Sequence, residues 1–292
     1  MYLINFIRGF CMALADSVPG VSGGTIAFIL GFYDKFIGSL DSLITGKKDE
    51  KIEAIKFLVK IGIGWVTGFV LAMLFLGEVF EIHIYSISSL FIGFIIFAIP
   101  IIISEEKEIL KNRYVNLIFT LIGIVIVAAI TYFNPAKGGV KVSIDNLSIS
   151  LSIYIFVCAM IAISAMVLPG ISGSTLLLIF GLYAPIVNAV KEVLHFNFKY
   201  LPIVMIFGFG VLTGIFSIIK IVKMVLEKYR SQTIYLIIGL MIGSIYAVFM
   251  GPTSLEVPKD PMSLTTFNFI FFVIGGVIIG GLQRLKSIFD KK

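Results

Sequence analysis

Two stretches, FLVKIGIGWVTGFVLAMLFLG (57–77) and NLIFTLIGIVIVAAITYF (116–133), hold a single charge between them, Lys60. A helix rises about 1.5 Å per residue, so each is long enough to cross the roughly 30 Å hydrocarbon core of a bilayer. With 59% of its 292 residues hydrophobic, 14% charged and a mean hydropathy of +1.07, the chain carries more apolar surface than a soluble core of its size hides. These features predict an all-α integral membrane protein that crosses several times. The opening MYLINFIRGFCMALADSVPG runs into a glycine-rich motif instead of a small-residue cleavage site, so the N-terminus is expected to be part of the fold. Cys11 and Cys158 lie in apolar stretches and predict neither a disulfide nor a metal framework.

DSVPGVSGGT (16–25) breaks this apolar pattern, and the break recurs. Sliding the chain by 150 residues aligns ADSVPGVSGGTIAFILGFY (15–33) with AMVLPGISGSTLLLIFGLY (165–183). Pro19/Pro169, Gly20/Gly170, Ser22/Ser172, Gly23/Gly173, Thr25/Thr175, Gly31/Gly181 and Tyr33/Tyr183 are identical. Three later segments also correspond: GIGWVTG (62–68) with GFGVLTG (208–214), LFIGFIIFAI (90–99) with LIIGLMIGSI (236–245), and NLIFTLIGIVIV (116–127) with NFIFFVIGGVII (268–279). Internal duplication of this kind is a common architecture of secondary transporters. The expected halves are 1–146, with a re-entrant or broken helical hairpin over 1–37 and three transmembrane helices over 57–133, and 147–292, with a hairpin over 148–194 and three helices over 201–283.

Charge placement predicts orientation, because short cytoplasmic loops are rich in Lys and Arg. If each hairpin returns to its own side and the later segments cross, the N-terminus, 34–60, 104–114, 220–231 and the C-terminal tail share one face. That face collects eighteen of the 23 basic residues, leaving Lys137, Lys141, Lys191, Lys199 and Lys259 on the other. Both termini are then cytoplasmic, and three net crossings per half invert the second half relative to the first. The net charge of +6 thus reflects a cytoplasmic face near lipid headgroups, and no nucleic-acid partner is needed. GKKDEKIEAIKFLVK (46–60) mixes signs at helical spacing and reads as a solvated or interfacial helix.

Irregular backbone at membrane depth is tolerated only where it faces protein or a wet cavity. Pro19, Gly20, Gly23 and Gly24 permit the break, and Ser22 and Thr25 can cap a half-helix that follows. LPGISGST supplies Pro169, Gly170, Ser172, Gly173, Ser174 and Thr175 in the other half. Backbone N–H groups from both loops would suit one phosphate or carboxylate held between them. The glycines Gly62, Gly64, Gly68, Gly208, Gly210 and Gly214 follow no strand and read as close helix packing, not as a nucleotide loop.

Asp16, an ionisable group in an apolar approach, has two open readings: a proton-coupling group, or a bond to local backbone N–H groups or to Arg8. Its mate, Met166, cannot cap, and this asymmetry favours the functional reading. Arg8 either contacts an anionic headgroup or snorkels to the interface. His83 and His195 have no paired ligands nearby, and no His, Asp or Glu cluster supports a phosphatase or transferase, so neither enzyme chemistry nor a metal or cofactor is expected.

RGFCMALADSVPGVSGGTIAFILGFYDKFI together with AMVLPGISGSTLLLIFGLYAPI resembles the bacterial polyprenyl-phosphate transporter family, over essentially the whole chain. The resemblance implies return of undecaprenyl phosphate, the lipid carrier of cell-wall synthesis, from the outer to the cytoplasmic leaflet of the cell membrane. It assigns the phosphate-facing role to the two loops, with Arg8 as the basic residue of the leading helix; Ala13, where the family pattern has glycine, departs from it. A transporter or channel for a small soluble anion is the competing expectation, since backbone donors would serve it equally well.

Overall fold

The computed structural model describes residues 2–16, 22–72, 77–132, 147–254 and 258–289. Among them the chain is helical, with no strand, and thirteen α-helices follow one another: α1 Tyr2–Asp16, α2 Gly23–Ile29, α3 Tyr33–Thr45, α4 Lys48–Leu71, α5 Gly77–Glu105, α6 Lys107–Leu110, α7 Leu117–Tyr132, α8 Ile149–Met166, α9 Gly173–Ile179, α10 Tyr183–Leu194, α11 Leu201–Lys228, α12 Arg230–Met250 and α13 Phe269–Phe289. Six stretches are long and apolar enough to span a membrane: Lys48–Leu71, Ile82–Glu105, Tyr114–Tyr132, Ile149–Met166, Phe198–Lys228 and Arg230–Thr253. The protein is therefore a multi-pass membrane protein. Helix α8, expected as one arm of a hairpin, is among the six, whereas the apolar stretch of α13, Phe269–Gly281, is shorter.

Local chemistry sets several boundaries. Glu50 accepts the Lys47 N–H at 2.8 Å at the start of α4, and Ser148 Oγ accepts the Leu151 N–H at 3.2 Å at the start of α8. The mixed-charge stretch 46–60, expected as a solvated or interfacial helix, is helical from Lys48 on and forms the largely exposed first turns of α4. Helices α2 and α9 both end at a left-handed glycine, Gly31 at φ 66° and Gly181 at φ 65°. After each, the following residue reaches back five positions, Phe32 N–H to Ala27 O at 3.1 Å and Leu182 N–H to Leu177 O at 2.8 Å.

The packing repeats as the sequence does. Helices α1 and α4 cross where a Cβ on Gly64 would strike Phe6 O and one on Gly68 would lie 2.8 Å from Phe10 O. A Cβ on their counterparts Gly210 and Gly214 would lie 2.5 Å from Phe156 O and 2.6 Å from Met160 O, where α8 crosses α11. The remaining helices pair between the halves, α5 with α13 and α7 with α12. Gly93 abuts Phe272 O and Gly275 abuts Leu90 O in the first pair; Gly239 abuts Thr120 O and Gly123 abuts Leu236 O in the second. Small residues at each contact let the backbones approach closely, as membrane helices require when lipid is as apolar as the side chains. Gly62 and Gly208 depart from this expectation, because a Cβ on either would meet nothing within 4 Å.

Helix α12 lies deepest, with Ile234, Ile237, Leu240, Met241 and Val248 buried, while α7 turns Leu117, Leu121 and Val125 outward. At one end of the bundle, Asp34, Asp41, Glu106, Lys223 and Arg230 gather in ion pairs, and Gln283 bonds Glu105. At the other, Tyr85 OH donates to Asp260 O at 3.0 Å, and Asn268 meets Ser86 and Ser89. Each set joins segments that the charge distribution groups on one face.

Candidate functional site

The first motif enters the described structure at Ser22; Pro19 and Gly20 lie outside the described residues. Ser22 is extended (φ −129°, ψ 134°), and its Oγ accepts the Gly24 N–H at 3.1 Å while its carbonyl takes the N–H groups of Thr25 and Ile26. Gly23 N–H is bonded by Asp16 Oδ1 at 2.6 Å. All four leading N–H groups of α2 thus have partners within the chain. Gly23 has no room for a side chain, because a Cβ would lie 2.6 Å from Asp16 Oδ2.

The second motif bends at Gly170, whose φ of 93° L side chains rarely adopt and whose missing Cβ makes way for the Leu240 backbone. Ser172 and Ser174 share a hydrogen bond at 2.8 Å, and Gly173, Ser174 and Thr175 open α9. Met166 occupies the place of Asp16: its side chain packs on Gly173 as the Asp16 carboxylate packs on Gly23.

The two motifs touch. Gly170 N–H donates to Thr25 Oγ1 at 2.7 Å, Tyr33 OH donates to Val167 O at 2.9 Å, and Ser22 Oγ reaches Met166 O at a long 3.4 Å. Hydroxyls of the first motif thereby satisfy carbonyls that the end of α8 leaves without helical partners. Ser22, Thr25 and Ser172 are all at most 5% exposed. A cavity of about 10 Å³ adjoins Gly170, Ile171 and Ser172, room for a single water at most. Each half-helix is only seven residues long, so little summed dipole builds up along it, and the leading N–H groups of α2 are already spent on Asp16 and Ser22.

Asp16 bonds local backbone, as one of its two readings held, and its second oxygen accepts the Trp65 indole N–H at 3.0 Å. Arg8, two turns earlier on α1, bonds Asn5 Oδ1 at 3.2 Å and lies over the Phe32 ring at 4.9 Å. His83 is exposed at a bend in α5 and His195 is exposed at the end of α10. Sequence reasoning missed Trp65 and Tyr33 as site residues. The signals for them were present: Tyr33 recurs as Tyr183, and Trp65 is replaced by Val211 in the half where Asp16 is replaced by Met166.

A family model described as undecaprenyl phosphate translocase-like matches residues 12–266. The chain is 36% identical over 293 residues to the polyprenyl-phosphate transporter of Staphylococcus aureus, covering 97% of each. It is 31% identical over 287 residues to the polyprenyl-phosphate transporter of Vibrio cholerae, covering 92% of this chain and 87% of that one. No solved structure matches. Both relatives are named as transporters, not enzymes, and with a match running almost from end to end this chain belongs to the undecaprenyl phosphate translocase-like family.

Proposed function

We propose that the protein returns undecaprenyl phosphate from the outer to the cytoplasmic leaflet of the bacterial cell membrane by alternating access, recycling the lipid carrier of cell-wall synthesis. Halves 1–146 and 147–292 form an inverted repeat whose two hairpins are re-entrant, with both termini cytoplasmic. The phosphate is held near the midplane by Pro19, Gly20, Ser22, Gly23, Gly24 and Thr25 of one loop and Pro169, Gly170, Ser172, Gly173, Ser174 and Thr175 of the other, with Arg8 nearby. Asp16 carries the coupling proton, and the isoprenoid tail stays in surrounding lipid.

The observation that carries this reading is the direct bond between the motifs, Gly170 N–H to Thr25 Oγ1. Loops 145 residues apart meet at one buried polar point, as a site shared between repeats requires. The packing of equivalent glycines in both halves supports two similar bodies working against each other. The cavity of about 10 Å³ beside Gly170, Ile171 and Ser172 is too small for a headgroup, and a parting of the loops during alternating access would make room for one. The names of the bacterial relatives support a polyprenyl phosphate as substrate over a small soluble anion. Few cations at the motifs suit release, since a multi-arginine clamp would hold phosphate tightly.

The test is leaflet exchange of labelled undecaprenyl phosphate in proteoliposomes. Ser22→Ala with Ser172→Ala is expected to slow exchange at least tenfold. An unchanged rate would overturn the site assignment, and equal protection by excess inorganic phosphate would turn the reading toward a soluble anion.

A further inference from the structure

Trp65 is the single tryptophan of the chain. It sits on α4 between the two glycines that seat α1, stacked on Phe69 with ring centroids 5.0 Å apart and planes 9° from parallel. Its indole N–H meets Asp16 Oδ2 at 3.0 Å, while Asp16 Oδ1 takes the Gly23 N–H. In the second half the helix crossing is preserved, yet both members of the pair are missing together, with Met166 for Asp16 and Val211 for Trp65. The tryptophan stands only in the half that holds the acid, and its one polar atom is spent on that acid.

We propose that Trp65 is a positioning residue that holds the Asp16 carboxylate turned onto the first motif and releases it when Asp16 takes up a proton. This rests on the reading of Asp16 as the proton-coupling group. An indole N–H can only donate, and so can the Gly23 N–H. The ionised carboxylate accepts both bonds, one on each oxygen. When a proton from water binds one oxygen, that oxygen loses its charge and becomes a poorer acceptor, and the bond that it held weakens. The indole bond is the longer of the two, so protonation on Oδ2 loosens Trp65 while Oδ1 keeps the Gly23 N–H.

The surroundings leave this exchange to the pair. Helix α2 carries no titratable side chain, and α4 carries none after Lys60, which lies over the Tyr2 ring at 5.2 Å. On α1 the nearest titratable groups are Cys11 and Arg8, the latter over Phe32.

Because Trp65 is alone of its kind, its fluorescence reports the pair in the native protein. In proteoliposomes, the emission is expected to shift through a single transition on titration with acid, and Asp16→Asn is expected to abolish the shift. An emission that does not titrate, or titrates alike in Asp16→Asn, would overturn the proposal. In parallel, leaflet exchange of labelled undecaprenyl phosphate is followed against pH. Trp65→Phe keeps the stacking on Phe69 but removes the donor to the charged form, so its midpoint is expected to move to higher pH by about one unit. Trp65→Gln, which restores an N–H, is expected to lie nearer the native midpoint, and Trp65→Phe added to Asp16→Asn is expected to change nothing further. A Trp65→Phe profile that superimposes on the native one, while Asp16→Asn displaces it, would overturn the role of Trp65 and leave that of Asp16 intact. Emission that titrates through Asp16 while native exchange ignores pH would uphold the pair and sink proton coupling.

Discussion

Asp41 and Lys223 meet at 2.7 Å, the carboxylate buried on α3 and the ammonium half in solvent on α11. Burial disfavours the charge on Asp41, but the bonds from Lys223 Nζ and the Thr45 hydroxyl outweigh it, and the carboxyl is held below the usual carboxylate range. The pair joins the short helix α3 to the long helix α11.

The group binds its proton less readily folded than unfolded, so it contributes stability above the unfolded value of about 3.9 that drains away as pH falls through the lower folded value. Acidification below about pH 4 is expected to lower the melting temperature in detergent, with a smaller decrement in Asp41→Asn. At neutral pH that variant is expected to cost about 1 kcal/mol, the upper end for a pair with one solvated partner. Thermal melts followed by circular dichroism check both.

Arg230 holds two elements with one guanidinium: Nε and Nη2 bond the two oxygens of Glu106, and Nη1 bonds Asp34 Oδ2 at 2.9 Å. The three residues line a cavity of about 210 Å³ with Tyr33 and Glu105. Lysine keeps the charge but not the fork, so Arg230→Lys is expected to lose about 1 kcal/mol in the same melts, approaching the loss in Arg230→Gln.

Thr25→Val removes the acceptor for the buried Gly170 N–H and keeps the side-chain volume. A loss of about 1–3 kcal/mol is expected, together with slowed leaflet exchange, while Thr25→Ser should retain most of both. Equal behaviour of the two variants would show that the bond between the motifs does not matter.

Glycines of this chain divide by what surrounds them. Gly170→Ala forces a Cβ at positive φ to within 2.6 Å of the Leu240 backbone and is expected to cost roughly 1–3 kcal/mol or to prevent accumulation of folded protein. Gly62→Ala and Gly208→Ala enter open space and are expected to stay within about 0.5 kcal/mol of the native protein. Yield and melting temperature separate the two classes.

Much of the framework could be read from the residues themselves. Apolar runs gave most of the spanning helices, though not α8, and the match of 62–68 with 208–214 named Gly64 and Gly210, which make equivalent contacts with Phe6 and Phe156. The duplication suggested two loops near one another, but not the direct bond of Gly170 to Thr25, which pairs residues that are not equivalent in the repeat. Partner choice was not legible: nothing in an apolar run says that α5 lies on α13 and not on its sequence neighbour α7, because every face is greasy and only the spacing of small residues discriminates. The stretch 46–60 was legible as a solvated helix but not as the start of α4, because mixed charge at helical spacing looks the same in a surface helix and in the wet end of a spanning one. Trp65 escaped because an aromatic in a membrane helix ordinarily signifies packing, and its meaning depended on an acid 49 residues away.

The crosswise embrace of α5 by α13 and of α7 by α12 bears on how such a chain can be cut. Either half made alone would present two bare helical flanks shaped for helices that it does not encode. Split near residue 140, the chain is expected to yield fragments whose flanks stay bare until each finds the other or a second copy of itself.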